Sequence, residues 1–466
     1  MKDHIYRFCS FESNATKGLK SLVLYIDSAL KGVTQNDTFC IIKKFIPISC
    51  VLISFLISSC SDFFEPVDST PAPTEYSYNY WLLQKTYLFE DELPLLDEQG
   101  DSVNELYNKL SDPYTRYVPP SKSEAAISHI NTSIVPGDVG MEYSLFNQME
   151  HPLVIYRVYA ESPAGRAGIK RYGNILNVNG VEITGDRAFD IYDSILTHNK
   201  EISITVTYSG DTSTYELTKE DVYAPTVFVD TLNGIEIITI TGFKLNTVDK
   251  ENGTLGELTT YLESTRNSKA PRLIDLRGNP GGHVNHCTAM ADLFMEKGNI
   301  STRSWRSFAG DGSPLYNKVT VVAKPGDAGE KKNFVVLVNG GSASCAEIFA
   351  VALQEGANIP IAGTVSYGKG IGQSTWKTMA GGLSLITNLE FLTPKGNSYH
   401  KKGIIPDYPC SEASLQCGFD ALESKFGKKG TKKQAFKKSA TGSDVSEPQI
   451  LRRYKDLGGA IIEGGE

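Results

Sequence analysis

At 466 residues the chain is too long for one simple core, and two or three domains are expected. Apolar residues make up 40% of it and aromatic residues 10%, a globular composition. The formal net charge is −8, and this acidity argues against a nucleic-acid partner while reporting on solubility rather than on activity.

The first 60 residues carry 7 basic and 4 acidic residues. Lys43-Lys44 precedes an apolar run from Phe45 to Ile57, followed by Ser58, Ser59 and Cys60. A positive patch, a short apolar stretch and small residues are the parts of an export signal. The run is too short for a comfortable membrane span, and no second long apolar run follows. Leu56-Ile57-Ser58-Ser59-Cys60 resembles a bacterial lipobox. That resemblance implies a leader and lipoprotein signal over 1–60, with Cys60 lipidated as the mature N-terminus. The protein would then be exported to the bacterial cell envelope and held at its periplasmic or outer-membrane face. Residues 1–42 ahead of such a signal suggest a start codon assigned too early. Of the eight cysteines, Cys60, Cys287, Cys345, Cys410 and Cys417 survive processing. Cys410 and Cys417 are close enough to pair, but spacing alone leaves this open, and no CxxC pair suggests zinc.

Residues 61–77, with Pro66, Pro71 and Pro73, read as an exposed tether. Residues 78–130 read as a helical segment, with Tyr80, Trp81, Leu83, Tyr87 and Leu88 near helical spacing. A second helix holds Leu106 and Leu110 and stops before Asp112-Pro113. Over 131–220 the pattern turns β-rich: strands at Leu153 to Tyr159 and Glu201 to Tyr208, an Asn179-Gly180 turn, and a helix from Ala188 to Leu196. From 225 to 424 strands and helices alternate, giving an α/β domain. Its strands are expected at Ile235 to Ile240, Arg272 to Leu276, Phe334 to Val338, Ile359 to Ala362 and Leu383 to Leu392, the last antiparallel. Residues 425–466 open with seven lysines by Lys438 and read as a solvated, disordered tail.

Three pieces of the α/β domain carry chemistry. Asp275-Leu276-Arg277-Gly278-Asn279-Pro280-Gly281-Gly282 follows a strand directly. Its paired glycines let backbone N–H groups converge on one point, as an oxyanion requires. Ser344 lies where a buried strand turns through Gly340-Gly341 into a helix, beside the N–H of Cys345. Taken alone, Ser344 would be an ordinary N-cap. Lys369 lies between two glycines, and in an extended chain Lys369, Ile371 and Gln373 face one way. Gln373 can therefore hold the lysine amine. A serine hydroxyl needs a base, and lysine serves only when neutral, which calls for a confined, desolvated site. Gly-Lys-Gly alone would suit a phosphate or surface loop, but the flanking pattern of a P-loop is missing.

Together these segments resemble the C-terminal processing peptidase family, the tail-specific Ser/Lys proteases. The similarity runs over about residues 78–420. It includes Asp112-Pro113-Tyr114-Thr115-Arg116-Tyr117 and Gly403-Ile404-Ile405-Pro406-Asp407. It implies a helical segment, a PDZ-like β-rich domain and a crotonase-like α/β peptidase domain, working without metal or cofactor. Ser344 would be the nucleophile, Lys369 the general base and Gln373 its positioner. Gly281 or Gly282, with Cys345, would give the oxyanion N–H groups. Glu161-Ser162-Pro163-Ala164-Gly165-Arg166-Ala167-Gly168-Ile169 carries the likeness to a PDZ domain. Its peptide-binding loop would be Val139-Gly140-Met141-Glu142-Tyr143, capturing substrate C-termini by strand addition. Two departures stand out: Cys345-Ala346 where the family has Ala-Ser, and Asn174 where an acidic residue is usual. His283, His286 and Cys287 invite a zinc or Ser–His reading, but polar residues lining the cleft are the simpler account. The expected function is a serine endopeptidase of the cell envelope cutting proteins near their C-termini. The alternative is a catalytically silent PDZ-containing peptide-binding protein.

Overall fold

Thr74 caps the first helix: its hydroxyl accepts the N–H of Ser77, and the Ser77 hydroxyl accepts the N–H of Thr74. The computed structural model describes residues 73–97, 99–309, 311, 313–427, 450–452 and, in backbone, 459–463. The leader 1–60 with Cys60, most of the tether and most of the lysine-rich stretch lie outside these residues.

In chain order, α1 (Glu75–Thr86), a 3-10 turn (Glu90–Glu92), α2 (Val103–Asn108), β1 (Arg116–Val118) and α3 (Pro120–Asn131) come first. A β-rich unit follows: β2 (Ile134–Asp138), β3 (Met141–Leu145), β4 (Leu153–Val158), α4 (Pro163–Arg166), β5 (Asn174–Val178), β6 (Val181–Glu182), α5 (Ala188–His198), β7 (Glu201–Tyr208), β8 (Asp211–Thr218) and β9 (Glu220–Tyr223). The α/β region holds β10 (Val227–Leu232), β11 (Ile235–Ile240), α6 (Gly253–Ser264), β12 (Arg272–Asp275), β13 (Gly281–His283), α7 (Val284–Asp292), β14 (Asn299–Phe308), β15 (Pro314–Val322) and β16 (Phe334–Val338). It continues with α8 (Cys345–Gly356), β17 (Ile361–Gly363), β18 (Ile371–Lys377), β19 (Leu383–Leu392), β20 (Tyr408–Pro409) and α9 (Leu415–Phe426). Two short strands close the chain, β21 (Ile450–Leu451) and β22 (Gly459–Glu463).

Three expectations need correction. The first helix starts at Glu75, so the last residues of the expected tether are helical. The front segment is not purely helical or independent: β1 pairs antiparallel with β19, far along the chain. Helical spacing cannot reveal a three-residue strand whose partner is remote. Nor is 425–466 wholly a solvated tail, because β21 and β22 join two different sheets. Lysine content dominated that reading and hid the short apolar runs beyond it.

The site is set by the sheet order β10-β11-β12-β16-β17-β20, in which all pairs after β10-β11 are parallel. Parallel neighbours need crossovers, and α6 and α8 provide two of them. Every residue of β16 is buried, as a central parallel strand requires. β12 and β16 are neighbours, so the loops leaving their carboxyl ends emerge side by side, the usual place for a site in such a sheet. One core joins this sheet to its helices and to β19, through Ile274, Val336, Phe349 and Leu389. α9 covers the opposite face with Phe419 and Leu422 against Leu273 and Val335. The Cys410–Cys417 pair left open by spacing is a disulfide at the start of this helix. A second sheet runs β13-β22-β18-β19-β14-β15. The β-rich unit has its own core, including Ile155, Ile175, Tyr192 and Ile204.

Candidate active site

The loops after β12 and β16 are laced together by short side chains. Asn339 Oδ1 accepts the N–H groups of Gly278 and Gly341, each at 2.9 Å. Ser342 Oγ donates to the Leu276 carbonyl at 2.8 Å, and the Ala343 N–H to the Asn279 carbonyl at 2.9 Å. Asn279 is fully buried; its Nδ2 donates to the Ile240 carbonyl at 2.8 Å and its Oδ1 accepts the Gly281 N–H at 2.9 Å. The glycine turn is thereby pressed against Ser344. A Cβ on Gly281 would meet the Ser344 Cβ at 2.9 Å and the Cys345 nitrogen at 3.0 Å, and Gly281 has φ +107°. Gly281→Ala should therefore lower stability by about 2–4 kcal/mol in urea unfolding. An unchanged midpoint would show that the contact yields.

The same bonds correct one expectation. The Gly281 N–H is held by the Asn279 side chain in an Asx turn, so this amide is not offered as an oxyanion donor here. Gly282 belongs to β13, while Cys345 opens α8, where helix N–H groups lack intrahelical partners.

Ser344 is fully buried with φ 59° and ψ −115°, a conformation that favours glycine. Holding a serine there costs on the order of 1–3 kcal/mol, and such outliers cluster at functional sites. Its Oγ has no hydrogen-bond partner among the described residues. An orphaned buried hydroxyl on a strained turn needs a functional explanation. Ser344 is the N-cap residue of α8 by position, but its hydroxyl makes no capping bond, and Glu347 Oε2 takes its N–H instead.

The residue that fastens the site was not singled out from sequence. Glu347, fully buried in the first turn of α8, accepts the N–H groups of Ser344 at 2.8 Å, Gly368 at 2.7 Å and Lys369 at 2.7 Å. It also accepts the Ser366 hydroxyl. One carboxylate thus ties the serine turn to the lysine loop. Burial raises its pKa, and all four hydrogen bonds oppose that rise. The legible signal was the Ser-x-x-Glu spacing from Ser344, which marks a helix start.

Lys369 is 4% exposed. Its Nζ donates to Gln373 Oε1 at 3.1 Å and lies 4.0 Å from the centre of the Tyr114 ring. Gln373 in turn donates from Nε2 to Thr387 Oγ1 at 2.9 Å. Lys369 and Gln373 do meet, although pleating alone is not the reason. Lys369 precedes β18, and the register shifts between Gly372 and Gln373, re-aiming the glutamine. Burial lowers the Lys369 pKa from 10.5 to about 8, aided by Arg116 and opposed by Asp112 and Glu347. At about 8 a useful fraction of the amine is neutral near physiological pH.

The motif near the front of the chain supports this loop. Asp112 accepts the N–H of Tyr114 at 3.0 Å and the N–H of Thr115 at 3.1 Å, and Thr115 Oγ1 accepts the N–H of Thr387 at 2.9 Å. The sequence alone gives these residues no role, because the link that ties them to the site, Thr115 to Thr387, spans 272 positions.

Other candidates fall elsewhere. His283 Nε2 pairs with Asn131 Oδ1 at 2.9 Å, and burial lowers its pKa to about 3. Cys287 is bonded to Cys345 across 58 positions, a pairing not foreseen from sequence. The Cys345 side chain thus points into the core while its backbone stays at the serine turn. Among the described residues no group of three His, Cys, Asp or Glu is arranged to hold a metal. The Gly140 N–H is taken by Asp138 Oδ1 at 2.6 Å, which closes one donor of the expected peptide loop. Met141 and Tyr143 are buried, and Tyr143 packs in the core against Tyr192. Glu142 is buried and paired with Arg157 at 2.9 Å.

With this geometry in view, the family model described as "Peptidase family S41" matches residues 234–410. A protein of Staphylococcus aureus (strain COL) assigned as a CtpA-like serine protease is 27% identical over 330 residues, which is 70% of this chain and 62% of that protein. A like-named protein of Staphylococcus saprophyticus is 26% identical over 317 residues, 68% of this chain and 61% of that protein. The chain thus spans less than two thirds of these relatives. A solved structure of a candidate S41 protease from Bacteroides fragilis covers 77% of this chain and 98% of its own, with 13% identity and a TM-score of 0.54. That likeness speaks to fold. The strand-to-helix serine turn, the glycine turn and the buried lysine all lie inside the region, residues 234–410, that the family model matches.

Proposed function

We propose that the chain is a serine endopeptidase in which Ser344 attacks the peptide carbonyl and Lys369 removes its proton. The single observation that carries this reading is Glu347, which binds the backbone of both residues and so holds an orphaned hydroxyl and an amine of lowered pKa in one buried site. In the resting geometry Lys369 bonds Gln373, so attack requires the amine to turn to Ser344 Oγ. Gln373 and Thr387 keep it oriented until then. Transfer of the hydroxyl proton to neutral Lys369 leaves the serine oxygen to form the acyl bond, and the lysine ammonium then protonates the leaving amine. The N–H groups of Cys345 and Gly282 are the proposed oxyanion donors. No metal or cofactor has a part in these steps.

The β-rich unit over 131–220 is proposed to be a PDZ-like domain whose β3 edge captures substrate C-termini by strand addition. Cleavage near those termini is part of the same proposal, supported by the similarity to CtpA-like relatives, and action on exported proteins of a bacterial envelope is supported by the lipobox-like Leu56 to Cys60. Anchoring at Cys60 completes the proposal: Cys60→Ala should release the protein from membranes, and an unchanged membrane fraction would refute the anchor.

A serine-directed fluorophosphonate probe tests the chemistry. It should label the wild-type chain and not Ser344→Ala, and Ser344→Ala should no longer cleave an unstructured protein. Equal labelling and cleavage would remove the assignment. No labelling of either would leave a silent peptide-binding protein.

A further inference from the structure

The β3 edge proposed to receive a peptide already carries a strand, and a second strand from the same late stretch of the chain lies beside the catalytic residues. β21 adds antiparallel to β3, with Ile450 opposite Ser144 and Leu451 opposite Tyr143. Leu451 packs against the core of the β-rich unit. Arg452 Nε then meets Glu142 Oε1 at 2.7 Å, on a carboxylate that is 2% exposed. Ten residues downstream the placement is more telling. β22 lies between β13 and β18 and runs parallel to both. Gly459 and Ala460 stand opposite Gly281 and Gly282, and Ile461 stands opposite both His283 and Gln373.

β13 and β18 do not pair with each other; β22 is what joins them. Removing it would leave a slot one strand wide, with about 4.8 Å to each side for main-chain hydrogen bonds. One wall of that slot is the glycine turn against Ser344, and the other carries the glutamine that holds Lys369. An extended polypeptide is the chemistry that fits such a slot, because only a main chain satisfies two open strand edges at once.

We infer that residues 450–452 and 459–463 are an intrachain ligand of the substrate path: β21 on the capture edge, and β22 in the slot beside the catalytic residues. This rests on the peptidase reading. A polypeptide substrate takes the same two edges and must displace the tail to do so. The tail is tethered, so it competes at a high effective concentration whatever its intrinsic affinity.

The test compares the full chain with one ending at Pro448. Binding is read in the Ser344→Ala background by anisotropy of a fluorescein-labelled peptide of residues 448–466. The shortened chain should bind it about tenfold more tightly than the full chain, in proportion to the fraction of sites the tail leaves open. With Ser344 intact, shortening should lower KM for an unstructured protein by a similar factor at unchanged kcat, and the peptide should inhibit competitively. Ile461→Pro in the full chain removes a strand N–H without shortening it, and should reproduce the effect if truncation impairs folding. Peptide binding without any Ser344-dependent cleavage keeps this inference and sinks the peptidase reading. Cleavage with equal KM in all three chains, and no difference in peptide binding, overturns the inference and leaves the peptidase reading standing.

Discussion

Lys369→Ala should lower kcat by about two to four orders of magnitude, the range expected when a positioned general base is lost. Folding should survive, because the lysine contributes a buried charge rather than packing. Its charge works against the folded state. Lys369 sheds its proton at about 8 when folded and near its ordinary 10.5 when unfolded. Between those values the unfolded chain binds more protons, so stability rises with pH there. Below about 8 the folded chain bears the whole penalty, on the order of 3 kcal/mol. Lys369→Met should therefore be more stable than wild type at pH 7, and the gain should fade as pH approaches 10.5. Urea midpoints at both pH values check this. A pH-independent difference would mean that Lys369 is charged in the folded state throughout.

Glu347→Ala has the second large effect, and it falls on stability and catalysis together. Four donors lose one acceptor inside a site that water does not reach freely. Each unsatisfied buried donor costs about 1–3 kcal/mol, so a loss of about 4 kcal/mol or more is expected after relaxation. Cleavage should fall at least a hundredfold, because the lysine loop is no longer fixed to the serine turn. Glu347→Gln is the informative control. Its single amide oxygen can serve one side, and its NH2 group faces the N–H donors of the other. It should recover part of the stability and little of the activity. Full activity in Glu347→Gln would mean that the carboxylate only caps the helix.

How much of this was legible varied with sequence distance. Phe334 to Val338 matched its strand residue for residue, because five buried apolar positions before Gly340-Gly341 admit few other structures. The glycines of 278–282 and the Lys369–Gln373 spacing are local patterns, and both mark places where the chain turns tightly or meets itself. Glu347 was hidden behind an unremarkable helix start, since its partners come from a loop some twenty positions on. The Cys287–Cys345 bond, the Asp112 support and the pairing of β1 with β19 join segments whose closeness only the sheet order creates. The end strands were obscured for another reason. A lysine-rich stretch precedes them, and a two-residue strand such as Ile450-Leu451 has no period to read. The sequence left Gly281 and Gly282 as alternative donors, and in the structure the Gly281 N–H is bonded to Asn279 Oδ1.

The rate of Ser344 acylation against pH tests the central claim most directly. Covalent modification by the fluorophosphonate should accelerate with pH along a single titration centred near 8, following loss of the Lys369 proton. In Lys369→Ala the same profile should be slow and lack that midpoint. A wild-type rate that ignores pH around 8, or a Lys369→Ala profile identical to wild type, would contradict the assignment of Lys369 as the base that activates Ser344.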